Sequence, residues 1–529
     1  MNESNDFIIS GPQEDYSIWY ESLGKYLFDC LNKRKANDII GIDAFTKEVL
    51  TCKNLLDRSQ KLSIVFKQLS IQKGDVITLI SENSLQNYII LCASLFSGAS
   101  LNPLNFAYST EELKYAFEIS KPKIIFSSKT ALPKVLEAKK SCSFIKKIFL
   151  TGIHSEIEVE SLEELIEGVN NFDDFGLVQT DLTDTAILCL SSGTTGLPKC
   201  VEVSHKNFIP LANTAHDKRF FNVSKKESTV LFLPFFHLYG LDIHLLALTN
   251  SLRVISMKAF KPDVFLRTIQ EHKVTKLFIA PPILHFLVKS PLVSNYNLTS
   301  VKDIVLGASS VKNDIYEEAL QRYPECAIRQ IYGSTETRAI SIQNVKKSNS
   351  VGQLFSNTSV KIINIENNNI VGPYEKGEIC VKSLSIMKGY FNNHSATSNA
   401  IDQSGFYRTG DIGYYDKNNN LYIVDRVKEL IKYKGFQVPP AEVENVLLSH
   451  LEVEDCAVVG VPDDRCGQLP LAFVVLKPNS SVADEGLIKF VAERISIQKQ
   501  LHGGVIFIDE IPKLPSGKIL RKELIKLIS

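Results

Sequence analysis

The chain carries no net charge: 59 lysines and arginines balance 59 aspartates and glutamates over 529 residues. It therefore has no general electrostatic pull toward nucleic acid or an anionic membrane, and no nucleic-acid partner is expected. No run of about 18 uninterrupted apolar residues occurs, so no transmembrane segment is expected either. The nearest candidate, residues 88–101, is broken by Ser94, Ser97, Gly98 and Ser100 and reads as a buried helix. The opening MNESNDFIIS is acidic and polar, without the basic-then-apolar order of a signal peptide. Ten cysteines lie between Cys30 and Cys466 with no CxxC pair, and reduced, packed thiols are the expectation. There is no H-E-x-x-H zinc motif and no fixed repeat of 20–50 residues. Leu527-Ile528-Ser529 is not an SKL-type address, and the expected setting is the cytoplasm.

What is present is ordinary globular composition, 44% apolar and 22% charged, over a length that suits three or four packing units. Short apolar, β-branched runs (DVITLIS, PKIIFSS, KKIFLTG, TAILCLSS, STVLFLPFF, TKLFIAPP, VKDIVLG) alternate with helical patterns. Strands this continuously apolar belong in parallel sheets covered on both faces. After about residue 340, turn-rich patches such as NIENNNIVGPYEKGE alternate with short strands, which suggests antiparallel hairpins. Beyond Asp425 come basic residues, a helix over 441–449, strands DCAVVGV and LAFVVL, a helix over 485–495 and the strand VIFID. The expected fold is α/β: a large N-terminal domain (1–425) of parallel-rich sheets with a small β-barrel-like element over about 340–425. A small mobile α+β C-terminal domain (426–529) follows.

Four segments carry chemistry. Ser191-Ser192-Gly193-Thr194-Thr195-Gly196-Leu197-Pro198-Lys199 follows the strand TAILCL. Its glycines admit a polyphosphate close to the backbone, its four hydroxyls and its amides donate to phosphate oxygens, and its lysine adds charge. The spacing is not that of the Walker loop. Tyr332-Gly333-Ser334-Thr335-Glu336-Thr337 offers an aromatic ring for a purine and a carboxylate for Mg²⁺, which prefers oxygen ligands. Tyr407-Arg408-Thr409-Gly410-Asp411, with Asp425-Arg426 further on, offers a carboxylate for a ribose diol and an arginine beside it. Pro512-Lys513-Leu514-Pro515-Ser516-Gly517-Lys518 fixes a loop that presents one lysine. Taken singly, each has a bland alternative: a turn, a surface ion pair worth about 0–1 kcal/mol, or a solvated tail lysine.

In this order the segments resemble the adenylate-forming superfamily of acyl- and aryl-CoA synthetases, coumarate–CoA ligases and beetle luciferases. The resemblance runs from GDVITLISENS through SSGTTGLPK, YGSTET, YRTGDIGYYD and VDRVKELIKYKGFQVPPAEVE to PSGKILRKEL. It implies ATP, Mg²⁺ and coenzyme A as co-substrates or cofactors, a small carboxylic acid as substrate, and a monomer; it also leaves the peroxisome open as a compartment. The acid would attack the α-phosphate of ATP, and a thiol would then displace AMP. Ser191, Ser192, Gly193, Thr194, Thr195, Gly196 and Lys199 would hold phosphates, with Glu336 on the metal. Gln330, Tyr332, Gly333 and Thr335 would line adenine and α-phosphate, while Asp411 and Arg426 would hold the ribose. Lys518 would bridge carboxylate and phosphate. His237, Phe236, Tyr239, Gly307, Ala308 and Ala339 would form the acid pocket. A hinge at Asp425 to Lys428 would then bring the face of Lys432, Gly435 and Gln437 into play for the thiol step.

Five residues depart from the family pattern. Cys200 follows Pro-Lys where glycine is usual, Leu306 and Ser310 replace a small residue and a proline near the pocket, and Arg338-Ala339 replaces a Thr-Ser pair. The expectation is an acid–thiol ligase acting on a fatty or aryl acid. One alternative is a luciferase-type monooxygenase, against which stand Phe236 in place of a second histidine and Arg338-Ala339. Another is a silent binding protein of the same fold, against which stand Lys199, Glu336, Asp411, Arg426 and Lys518 together.

Overall fold

The computed structural model describes residues 7–152, 159–191, 198–343, 350–434, 436–463, 465–514 and 517–528. Ser192, Gly193, Thr194, Thr195, Gly196 and Gly435 lie outside the described residues, as does the Gln437 side chain.

The apolar runs form two large sheets, as their composition requires. One has seven strands in the order Gly389–Tyr390, Lys199–Ser204, Thr185–Ser191, Ser100–Leu104, Val76–Ile80, Ile124–Ser127, Lys147–Leu150. From Thr185–Ser191 through Ser100–Leu104 to Lys147–Leu150 its pairs are parallel. The other has nine strands, with a parallel centre running from Ile39–Asp43 through Arg253–Ser256, Ser228–Leu231, Lys276–Ile279 and Asp303–Leu306 to Ala327–Ser334. Both sheets end in antiparallel strands, Lys199–Ser204 in the first and Arg338–Ile342 in the second.

The helices Gln86–Phe96 and Leu238–Asn250 belong to the largest core cluster, and nearly every residue of each is buried. Their sequences are predominantly apolar, which is why they sit inside rather than on the surface. The first is shorter than the run that announced it: Ser97, Gly98 and Ala99 turn the chain, and Ser100 already begins the next strand. Surface helices carry their own start signals; Ser109 with Glu112 and Ser161 with Glu164 form reciprocal capping boxes.

Where a barrel-like element was expected, there is a six-stranded antiparallel sheet. Its path runs Ile9–Ser10, Ser359–Ile363, Gly377–Lys382, Tyr407–Tyr415, Leu421–Arg426, with Ile370–Val371 to one side. The smaller C-terminal domain has a five-stranded sheet of Phe436–Val438, Ile431–Tyr433, Gly467–Leu476, Val453–Asp463 and Gly504–Phe507, with its own apolar cluster under Pro440–Leu448 and Asp484–Ala492. All ten cysteines are free thiols and eight are buried. Among the described residues no helix is long and apolar enough to cross a membrane.

Candidate active site

The segment from Ser191 to Lys199 joins two antiparallel strands. Ser191 ends one, Lys199 begins the next, and the two are register partners, with Ser191 Oγ donating to the Lys199 carbonyl at 3.4 Å. Among the described residues it is the strand Lys199–Ser204, not a helix, that follows the segment. Lys199 Nζ lies 4.6 Å from the ring centre of Tyr390, whose strand pairs with that of Lys199. The Tyr390 hydroxyl donates to Glu336 Oε1 at 3.1 Å, and the Glu336 carbonyl accepts from Met387 N at 2.7 Å. Lys199 and Glu336 thus both meet Tyr390, one over its ring and the other at its hydroxyl. Tyr390 was not among the residues singled out from the sequence, because only the cross-strand pairing with Val201 puts it there. Cys200 points away, 2% exposed, and burial pushes its thiol up to about 12. It is a packed, neutral residue.

Tyr332 and Asp411 meet directly: the phenol donates to Asp411 Oδ2 at 2.7 Å, while Arg426 Nε pairs with Oδ1 at 2.9 Å. Asp411, in the middle of Tyr407–Tyr415, and Arg426, at the end of Leu421–Arg426, are cross-strand partners. A carboxylate has about four acceptor positions, so a diol could still be accommodated. Burial raises the Asp411 pKa, and Arg426 opposes that shift. Gln330 and Thr335 flank Tyr332, half-buried, on the same strand and the turn after it. Gly333 lies so close to the neighbouring strand that an added Cβ would sit 1.8 Å from the Arg338 carbonyl.

Lys518 arrives from the C-terminal domain. Its loop is held by hydrogen bonds from Leu514 N to the Lys518 carbonyl and from Gly517 N to the Leu514 carbonyl, both 2.8 Å. Gly517 has φ +86°, and its missing Cβ would lie 3.2 Å from Pro282 and 3.3 Å from Ser309 Oγ, so the loop rests on the large domain. Burial lowers the Lys518 pKa, Arg426 lowers it further, and Glu429 and Asp411 oppose them. The ammonium therefore sits in the field of the Asp411–Arg426 pair. Asp425 accepts from Ala441 N at 2.9 Å, and burial pushes its carboxyl up to about 6. Val427 N donates to the Gly410 carbonyl at 2.8 Å, and the exposed Lys428 comes next. Lys432 stands exposed on Ile431–Tyr433, its backbone N donating to Gln468 Oε1 at 2.8 Å. It is not among the charges that chiefly act on Lys518.

His237 caps the helix Leu238–Asn250, its Nδ1 accepting from Tyr239 N at 3.4 Å. Nε2 then carries the proton of the neutral ring. The residue is exposed yet surrounded closely enough by protein that desolvation lowers its pKa. The Tyr239 ring lies flat against Gly307, where a Cβ would come within 2.8 Å of it, and its hydroxyl donates to the Val305 carbonyl at 3.2 Å. Ala308 next to it holds φ +73°, a left-handed conformation costly for a side chain with Cβ. Phe236 meets Phe106 edge-on at 6.3 Å. Leu306 belongs to the core of the nine-stranded sheet, so this departure is a packing matter. Ser310 is exposed.

Arg338 turns out to be buried. Its Nε donates to Asp242 Oδ2 at 3.0 Å, its Nη1 to the Asn207 carbonyl at 2.6 Å, and its guanidinium lies 5.2 Å from the Phe208 ring centre. Asp242, one turn into the helix that His237 caps, was invisible as a partner 96 positions away. Ala339, the next residue, takes its place opposite Gly333. Among the described residues no group of three or more His, Cys, Asp or Glu side chains gathers as a metal cage. Any ion at Glu336 would draw most of its ligands from phosphate and water, which suits magnesium.

A second-domain lysine set beside the Tyr332–Asp411–Arg426 group is the arrangement expected of an adenylate-forming enzyme. The chain belongs to the AMP-binding enzyme family: residues 31–391 match that family and residues 442–518 match the AMP-binding enzyme C-terminal domain. It is 35% identical over 530 residues to luciferin 4-monooxygenase of Nipponoluciola cruciata, covering 98% of this chain and 96% of that one. It is equally 35% identical, over 508 residues, to probable 4-coumarate–CoA ligase 3 of Dictyostelium discoideum, covering 93% and 92%. The crystal structure of ATP-bound MatB from Rhodopseudomonas palustris shares the fold, with a TM-score of 0.87 at 22% identity over 96% of this chain and 99% of that one.

Proposed function

We propose that the chain is an acid–thiol ligase that converts a fatty or aryl carboxylic acid to its acyl-adenylate with release of pyrophosphate, then passes the acyl group to coenzyme A. The observation that carries this reading is the docking of Lys518: a lysine of the small domain is held beside Asp411 and Arg426 by a loop seated on Pro282 and Ser309. An ammonium there would stabilise the negative charge that builds when a carboxylate attacks the α-phosphate.

The remaining roles follow from position. Lys199 and the loop with Thr194 and Thr195 hold the departing phosphates. Glu336, oriented by Tyr390, fits a magnesium ion, which would neutralise phosphate charge. Gln330, Tyr332, Gly333 and Thr335 line adenine and α-phosphate, and Asp411 with Arg426 receives the ribose. His237, neutral at pH 7, offers a hydrogen bond to the acid without adding charge, between Phe236, Tyr239, Gly307, Ala308 and Ala339. Rotation of the small domain about Asp425 to Lys428 then withdraws Lys518 and brings up Lys432, with Gly435 and Gln437, for the thiol step.

Equal identity to a luciferin 4-monooxygenase supports a second reading, oxidation of an adenylated luciferin with O₂ and emission of light. Against light emission stand Phe236 and Arg338-Ala339 in place of a second histidine and a Thr-Ser pair, with Arg338 committed to a buried ion pair with Asp242. The test is pyrophosphate release across a library of carboxylic acids, with and without coenzyme A. Thioester and AMP formed only when coenzyme A is present support the ligase. Light from firefly luciferin, ATP and O₂, without thioester from any acid, would replace it by the monooxygenase. No pyrophosphate from any acid would leave a binding protein.

A further inference from the structure

Asp455, near the start of Val453–Asp463 in the small domain, receives two lysines at once. Lys312 Nζ of the large domain lies 3.1 Å from its Oδ1 and also donates to the Glu454 carbonyl at 3.2 Å. Lys513 pairs with its Oδ2. Both lysines stand at informative places. Lys312 ends the segment that begins with Gly307 and Ala308, the candidate wall of the acid pocket, and immediately precedes the helix Asn313–Arg322. Lys513 opens the loop that closes on Lys518, and its backbone bridges Ile519 on the far side of that loop. One carboxylate therefore joins the acid-pocket segment to the lysine loop, beside the place where Gly517 rests on Pro282 and Ser309.

The side chains are 38%, 21% and 29% exposed for Lys312, Asp455 and Lys513, so the cluster is less screened than an ordinary surface pair. Burial pushes the Asp455 pKa up, but Lys513 and Lys312 together pull it below the ordinary carboxylate value. The arrangement is repeated at a second place: Glu442 of the small domain pairs with Lys376 of the large domain and with Lys499 of its own. In each case the acid keeps the lysine of its own domain wherever that domain goes, while the cross-domain lysine is left behind if the domain turns. Such a contact supports one orientation of the domains and contributes nothing to the other.

We propose that Asp455 is a positioning residue for adenylation: bridged by Lys312 and Lys513, it seats the Lys518 loop against the acid pocket and lets go when the small domain rotates. This rests on the two-step ligase reading above. A 1 Å misplacement of a reacting group has large kinetic consequences, so loosening the seat should be visible in rate before it is visible in stability.

The test uses the full chain and the variants Asp455→Asn, Asp455→Glu and Lys312→Met. Hydrogen exchange of segment 511–520 reads the seating without any need for activity, and pyrophosphate exchange with ATP reads the first half-reaction. Asp455→Asn and Lys312→Met should each speed exchange of that segment, and each should lower the kcat of pyrophosphate exchange, by about tenfold, with the KM for ATP kept within about twofold. Asp455→Glu should restore much of both, and thioester formation from added acyl-adenylate should stay unchanged. Unaltered protection of 511–520 in Asp455→Asn would overturn the proposal whatever the activity. Faster exchange with undiminished pyrophosphate exchange would reduce the bridge to a docking contact and overturn its role in adenylation. A native chain without pyrophosphate exchange on any acid overturns the ligase reading and with it the catalytic role, while hydrogen exchange still decides the seating.

Discussion

Replacing Lys518 by alanine isolates the contribution of one ammonium. Its neighbours include a cation, Arg426, and its pKa is lowered first by burial and then by that arginine. Removing it therefore strands no buried anion, and the thermal midpoint should stay within about 1 °C of the native value. The kinetic effect is of another size. A unit charge about 4 Å from a developing negative charge, at an effective dielectric near 20, is worth about 4 kcal/mol, or about a thousandfold in rate. Pyrophosphate release with a saturating acid should fall by about that factor in Lys518→Ala. Lys432→Ala should leave pyrophosphate release nearly intact and slow thioester formation about a hundredfold. The working form of Lys518 is the ammonium, so adenylation should decline as pH rises through its lowered pKa. Lys518→Arg should move that decline to higher pH, because guanidinium holds its proton. Adenylation within tenfold of native in Lys518→Ala, or equal failure of both alanine variants at the first step, would refute the two-conformation scheme.

Tyr390→Phe keeps the ring beneath Lys199 but removes the donor to Glu336; the Mg²⁺ concentration needed for half-maximal pyrophosphate release should rise about threefold or more, since one orienting hydrogen bond is lost. Arg338→Met leaves Asp242 buried without its cation and should destabilise the protein by about 3–5 kcal/mol in denaturant titrations, whereas adding Asp242→Leu should recover most of that loss; equal losses in single and double variants would remove the pair from the account. His205 accepts from Leu23 N through Nδ1, and burial lowers its pKa to about 4. The unfolded chain takes up that proton first, so this histidine's contribution is complete above about pH 6.5 and declines as pH falls toward 4, by about 3 kcal/mol. His205→Gln should flatten the acid limb of thermal midpoint against pH, and an unchanged limb would assign acid lability elsewhere.

The sequence made the strands legible where several β-branched or aromatic residues stand together, and the chemistry legible where a motif is contiguous. It understated two kinds of feature. Strand ends are set by geometry: the run beginning at Ser228 stays in the sheet only to Leu231, where its partner strand ends at Ser256. Partnerships between distant residues leave no local trace, so Asp242 beneath Arg338, Tyr390 beside Glu336 and Asp455 between its lysines came only with the fold. The Ser191–Lys199 segment stood out by composition, while its passage into a second antiparallel strand did not, because KCVEVS has the alternation of a strand but no marker of its pairing direction.

The helix that starts beside His237 has consequences for how such an enzyme can change its diet. Enclosed along its whole length, it cannot slide or tilt without disturbing both flanking sheets. On the ligase reading, new tastes in acid must come from the rim, from Ala308 after Gly307 and from Ala339. A lineage could then sample many substrates by editing a few shallow positions while its histidine stays in register throughout.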